Sequence, residues 1–177
     1  HTTDDNQQIA DQCEVVVLAV KPQVIKEVTT PLRIEQRQPQ LFLSVAAGIR
    51  TTSLANWLGR STPIVRAMPN TAIGIEESMT CLASKETNGK SLEVAKSIFD
   101  SVGLTQVIDE EQMVLSTALA ACGIAFFLRA IRAASQGGIE IGFHSEDAIK
   151  IAAQTANGAA ALLLNSTTHP EGEIDRV

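Results

Sequence analysis

Val15-Val16-Val17-Leu18-Ala19-Val20-Lys21-Pro22 decides how the rest of this chain is read. An unbroken apolar run rich in β-branched residues has no face left for water, so it suits a strand covered on both sides, as in a parallel sheet. Lys21-Pro22 closes the run, because proline gives no amide hydrogen to a ladder, and Pro22 can open a helix reaching about Val28. Outward from there, Leu41-Phe42-Leu43-Ser44-Val45 is a second strand of the same kind, closed by Ala46-Ala47-Gly48. Thr51 or Thr52 then caps a short helix that ends near Gly59. Pro63-Ile64-Val65-Arg66 is a third strand, and residues 78–83 and 104–108 read as further strands around a helix from about Asn88 to Ser101. Strand and helix in alternation predict an α/β fold built on a parallel sheet with right-handed crossovers.

Beyond residue 108 the pattern changes. Asp109-Glu110-Glu111-Gln112 has the form of a capping box, and from it a long, mostly apolar helix is expected to about Ser135, ended by Gly137-Gly138. Ser145-Glu146-Asp147 caps a second long helix to about Asn165, where Thr-Thr-His-Pro stops it. Ala118, Ala120, Ala121 and Ala125 in the first helix, and residues 159–164 in the second, are apolar all round. Such helices must be covered on every side, so a second subunit, or sequence outside this stretch, is expected against them.

Composition removes several function classes. The 177 residues carry 14 Lys+Arg against 20 Asp+Glu, a net charge of -6, which argues against a nucleic-acid partner. Aromatic residues are 3% of the chain and tyrosine is absent, so base-stacking platforms are not expected either. The longest apolar run, 118–128, is well short of the roughly 20 residues of a spanning helix, so no membrane span is expected. Cys13, Cys81 and Cys122 are widely spaced and predict reduced, mostly buried thiols. No metal site is expected, and the polar, acidic start carries no leader pattern, so a cytoplasmic location is expected. A dinucleotide-binding unit would open with a strand and GxGxxG. That spacing is missing, and both ends read as cut from a longer polypeptide with roughly its first unit absent.

Ligands of open α/β sheets bind outside the carboxyl ends of the strands. Three such loops are expected: Ala19-Val20-Lys21-Pro22, Ser44-Val45-Ala46-Ala47-Gly48, and Arg66-Ala67-Met68-Pro69-Asn70-Thr71. Their small residues allow close approach by a flat ligand. Lys21 can neutralise a phosphate. Asn70 and Thr71 can hydrogen-bond an amide or carboxylate, or merely form an Asx-type turn.

Taken in order, these three loops resemble those of pyrroline-5-carboxylate reductases. The likeness continues through Gly103, the acidic pair Glu110 and Glu111, Thr117-Ala118-Leu119-Ala120-Ala121-Cys122-Gly123-Ile124-Ala125-Phe126, Gly137-Gly138-Ile139-x-x-Gly142, Ala152-Ala153-Gln154-Thr155, Gly158-Ala159-Ala160 and Ser166-x-x-His169-Pro170. The resemblance implies a partial Rossmann-type parallel sheet (1–108, the remaining part of a dinucleotide-binding domain) followed by an all-helical dimerisation and substrate domain (109–177). It implies NADPH-dependent reduction of a cyclic imine acid to L-proline, with NADH as the other candidate cofactor. It also implies a homodimer joined through the helical domain, with higher oligomers open. By position in the family, Asn6 and Ala19, Val20, Lys21 and Pro22 would meet the ribose and phosphate side of the cofactor. Val45, Ala46 and Ala47 would line its nicotinamide end, Asn70 and Thr71 would close the pocket, and Glu110 and Cys122 would face the substrate. No residue is assigned to proton transfer.

The chain departs from the family's Leu-Ser-Gly-Ser-Gly-Pro-Ala-Tyr segment. Ala120, Ala121, Cys122, Ile124 and Phe126 replace Ser, Gly, Ser, Pro and Tyr. Without the proline a helix break should be lost. Arg132 replaces an acidic residue, and as a buried arginine it should need a carboxylate from across the dimer. The family's substrate loop would begin just after Val177. These departures leave two alternatives: a catalytically inactive dinucleotide-binding and dimerisation module, or a reductase of a related imine or β-hydroxy acid.

Overall fold

A computed structural model describes residues 1–34, 40–59, 61–85 and 89–177. The expected helix start at Asn88 lies outside them. The chain divides into two compact units, His1–Ile124 and Ala125–Val177.

The first unit runs α1 (Asn6–Gln12), β1 (Val15–Leu18), α2 (Ile25–Thr29), β2 (Leu41–Ser44), α3 (Thr51–Leu58), β3 (Ile64–Met68), β4 (Ser78–Ser84), α4 (Lys90–Asp100) and β5 (Gly103–Val107). The strands form one sheet in the order β1-β2-β3-β4-β5. β1, β2 and β3 are parallel, with Leu18 opposite Ser44 and Ser44 opposite Arg66. The sheet departs from the expected all-parallel arrangement at β4, which runs antiparallel to β3. Only Pro69 to Glu77 joins them, too short a link for a crossover of a dozen or more residues. β5 returns parallel to β4 after α4.

Alternation along the strands sends side chains to two cores. Val16, Leu18, Phe42 and Ile64 pack with Ile25 of α2 and Leu54, Ala55 and Leu58 of α3. Leu41, Leu43, Val65, Ala67 and Leu82 pack with Leu92, Ala95 and Phe99 of α4. β2 and β3 feed both faces, as the sequence predicts for covered strands, but β1 lies at the edge of the sheet and leaves Val17 50% exposed, so the strand expected to be covered on both sides is only partly covered on one of them. Gly103 crosses β4 so closely that an added Cβ would lie 2.1 Å from the Ser78 carbonyl oxygen. Two of the thiols, Cys13 and Cys122, are exposed and only Cys81 is buried, contrary to the expectation of mostly buried cysteines. They occupy a helix end and a turn rather than strand interiors.

The segment after β5 is not one smooth helix. A short 3-10 turn (Glu110–Gln112) opens on the expected capping box of Asp109 and Gln112. α5 (Met113–Ser116) follows, and then a π-turn over Thr117–Ala121. Replacing the family's proline by Ile124 therefore does not straighten the segment, because the break is made by an inserted residue rather than by a missing amide hydrogen.

The second unit holds α6 (Ile124–Glu140, whose first residue belongs to the first unit), α7 (Ser145–Leu164) and α8 (Pro170–Ile174). α6 passes through the expected stop at Gly137-Gly138. It ends instead on Gly142, at φ +113°, with the Phe143 amide bonded to the Gly138 carbonyl and the Gly142 amide to that of Ile139. This is a Schellman end. α7 is capped at His144, and the expected cap Ser145 lies in its first turn with Glu146 and Asp147. Gly138 lets α6 and α7 approach: an added Cβ would lie 3.2 Å from that of Ala148.

The unit does not bury its own apolar surface. Phe127 is 69% exposed, Ile141 79% and Leu164 71%, while Ala148 and Ser135 are buried. Arg132 is exposed on the single chain. The stretch Glu110–Glu140 is also long and apolar enough, by length and composition, to cross a membrane. The apolar run 118–128 is continued by Met113, Val114 and Leu115 before it and by Ala130 and Ile131 after it, so the mean hydropathy stays high across Ser116, Thr117 and Arg129.

Candidate functional site at the carboxyl ends of the strands

Because β1, β2 and β3 are parallel and paired at Leu18, Ser44 and Arg66, the loops that follow them leave the same edge of the sheet. After β1, Ala19 and Lys21 are exposed and Val20 and Pro22 partly covered. The Lys21 carbonyl accepts from the Val24 amide, which turns the chain into α2 at Ile25 rather than at Pro22. After β2, the Val45 amide still reaches the Leu18 carbonyl at 3.3 Å. Ala46 is buried in the core beneath α3, and Ala47 is exposed. Gly48 takes φ +76°, a conformation that favours glycine and lets the loop turn toward α3.

After β3, Asn70 caps a 3-10 turn (Thr71–Ile75), its Oδ1 accepting from the Ala72 amide at 3.0 Å. This is the Asx-type turn that the sequence left open. Its Nδ2 donates to the Ala120 carbonyl at 3.3 Å. Thr71 is exposed. Asn6, the first residue of α1, lines a groove of about 510 Å³ with Asp4, Asp5, Glu27 and Leu32. None of the other expected cofactor residues lines that groove.

Glu110 is the best-defined polar group of the unit. The backbone amide of Thr51 donates to its Oε1 at 2.6 Å and the Thr51 hydroxyl to its Oε2 at 2.5 Å. The Arg66 guanidinium donates to Oε1 at 3.1 Å. α3 has no side-chain cap of its own, since Arg50 occupies the cap position without bonding. A carboxylate far along the chain thus caps the helix, which explains why neither Thr51 nor Thr52 does. Burial pushes the Glu110 carboxyl up, but the Thr51 hydroxyl and amide and the Arg66 guanidinium outweigh it and hold the group below its ordinary value. Arg66 is 4% exposed, so Glu110 also neutralises a charge that would otherwise be stranded.

Arg66 and Thr51 carry this arrangement with Glu110; the sequence offered Thr51 only as a helix cap and Arg66 only as part of the third loop, and did not pair either with Glu110. The available signal was a charge inside the apolar run Pro63-Ile64-Val65-Arg66-Ala67-Met68. A strand covered on both faces has no solvent side for it, so a carboxylate partner is required. Cys122 ends the π-turn, exposed, with its amide bonded to the Thr117 carbonyl at 2.8 Å.

Residues 110–177 match the family model for pyrroline-5-carboxylate reductase dimerisation, and residues 1–48 match that of the coenzyme F420-dependent NADP oxidoreductases. Pyrroline-5-carboxylate reductase 1 of Dictyostelium discoideum is 48% identical over 100% of this chain and 34% of its own length. Pyrroline-5-carboxylate reductase 2 of the same organism is 43% identical over 99% of this chain and 64% of its own. The solved structure of a pyrroline-5-carboxylate reductase from Coxiella burnetii is 35% identical with a TM-score of 0.90, over 99% of this chain and 66% of that one. The Plasmodium falciparum pyrroline carboxylate reductase with NADP bound gives a TM-score of 0.87 at 26% identity, over 99% of this chain and 67% of that one. The chain spans between 34% and 64% of the length of these two curated relatives.

Proposed function

Since this chain belongs to the pyrroline-5-carboxylate reductase family, we propose that its protein reduces 1-pyrroline-5-carboxylate to L-proline with NADPH, as a homodimer joined through the helical domain within residues 110–177. The observation that carries the reading is the alignment of three small-residue loops on one edge of parallel β1, β2 and β3. That edge is where an open α/β sheet takes a dinucleotide. The exposed ammonium of Lys21 and the exposed Ala19 and Ala47 suit a flat, anionic ligand. When bound, NADPH supplies the hydride to the C=N carbon.

The chain's own part is to hold the partners and exclude water. Asn6 and residues 19–22 are the ribose and phosphate side, Val45, Ala46 and Ala47 the nicotinamide side, with Thr71 closing the pocket. Glu110 keeps a fixed negative charge on the substrate side of the segment that ends at Cys122. Phe127, Ile131, Ile141 and Ile151 line an apolar groove of about 670 Å³ in the helical unit, and a second copy covers it. Arg129 and Arg132 are exposed on α6. Each would cost about 3 kcal/mol at the centre of a bilayer, which favours a protein partner over lipid. A cytoplasmic location belongs to the same reading, supported by the exposed thiols of Cys13 and Cys122.

The test is oxidation of NADPH, followed by absorbance, by the whole protein containing this chain, with 1-pyrroline-5-carboxylate as substrate. Turnover is expected. None above background would overturn the reading in favour of an inactive binding and dimerisation module, and faster turnover of a six-membered imine would replace the substrate.

A further inference from the structure

Asn70 is held at three points. Its amide hydrogen goes to Ser78 Oγ at 3.2 Å, and that hydroxyl is in turn bonded to the buried Thr80 hydroxyl at 3.0 Å. Its Oδ1 takes the Ala72 amide hydrogen, and its Nδ2 reaches the Ala120 carbonyl. Ala120 lies inside the π-turn, where one residue more than a regular helix holds is accommodated. The turn is tight: a Cβ on Gly123 would fall 1.8 Å from the Leu119 carbonyl oxygen. Ala120 and Ala121 pack on Met68, Cys81, Ala83 and Met113, so the turn lies against the ends of β3 and β4. Among the described residues, the side chain outside the segment that bonds a carbonyl within the π-turn is Asn70, in the loop after β3.

We infer that Asn70 is a positioning residue: it clamps the π-turn to the end of β3 and so sets where residues 120–122 stand beside the strand-end loops. This places it outside the set of direct cofactor contacts that the family resemblance gave it, and it rests on the reductase reading for its consequence in turnover. One amide hydrogen and the amide oxygen are each bonded within the protein, which fixes the orientation of the side chain between the end of β3 and the π-turn.

Asn70→Ser in the whole enzyme keeps a capping oxygen but is too short to span to Ala120. Asn70→Asp keeps the cap and turns a carboxylate against the Ala120 carbonyl. For both, kcat is expected to fall about tenfold or more with the KM for NADPH within about twofold of wild type. The Cys122 amide, which closes the π-turn, should exchange its hydrogen about tenfold faster or more, with Phe42 exchange unchanged as the mark of an intact sheet. A tenfold rise in the KM for NADPH with Cys122 exchange unmoved would show a cofactor contact and overturn the clamp, as would no change in either. If the wild-type enzyme fails to reduce the imine, the reductase reading falls, and Cys122 exchange alone still decides whether Asn70 holds the turn.

Discussion

The two units of this chain solve the same problem in opposite ways. In the sheet unit Phe42, Leu43, Leu54, Val65 and Leu82 are all 0% exposed, covered by α2, α3 and α4 of the same unit. Among the described residues, its buried ion pair of Arg66 and Glu110 is completed by Thr51. In the helical unit Phe126 is 68% exposed and Phe127 69%, and α6 and α7 together bury little beyond Ala148 and Ser135. The first unit draws its stability from its own side chains. On the homodimer proposed above the second draws it from association, and its stability should then rise with protein concentration.

The comparison breaks most sharply at Phe42. Phe42→Ala should cost about 4 kcal/mol, read as a loss of sheet stability in urea that is the same at every protein concentration. A dependence on concentration would mean that the sheet unit is also completed from outside. Phe127→Asp should leave the sheet's urea midpoint where it is and weaken self-association by about 100-fold, roughly 3 kcal/mol, read by sedimentation. Unchanged assembly would take the homodimer off this face.

Both halves of that contrast were legible in the sequence, to different depths. The continuous apolar run at Leu41 announced a covered strand, the β-branched run at Val15 announced a strand that proves to be half open at the sheet edge, and helices apolar all round announced a missing cover. Local pattern could not show that β4 turns back on β3, because that depends on the length of the link from Pro69 to Glu77 rather than on the strand's own residues. Nor could it show that Gly137-Gly138 lies within α6. Glycine ends a helix only where the backbone turns left-handed, which here happens at Gly142, while Gly138 serves the approach of α7. The site was legible as three loops, but its polar wiring was not. Arg66, Thr51 and Glu110 are far apart in the chain, and their meeting is a fact of packing. Arg66 alone was a readable clue, as a charge with no wet side.

That wiring sharpens the contrast, because it belongs wholly to the self-sufficient unit. Glu110→Gln should cost about 2 kcal/mol near neutrality by removing the charge that faces Arg66. Glu110 titrates below its ordinary value in the folded chain, so its contribution is complete above the ordinary carboxylate range and is lost as pH falls through the lowered one. Thermal melts of the two proteins should therefore converge in acid. A gap that persists there would mean that Glu110 acts through shape rather than charge.

Thr51→Val tests the same knot at its weakest strand. It removes the hydroxyl bond to Glu110 Oε2 and leaves the backbone bond to Oε1. The expected cost is about 1 kcal/mol, and Thr51→Ser should restore most of it by returning the hydroxyl. Because the lost bond favours the ionised carboxylate, the acid transition of Thr51→Val should also begin at higher pH than that of the wild type. A variant that loses stability without moving that transition would show that Thr51 contributes packing beneath α3. The low titration of Glu110 would then rest on Arg66 and the helix amide alone.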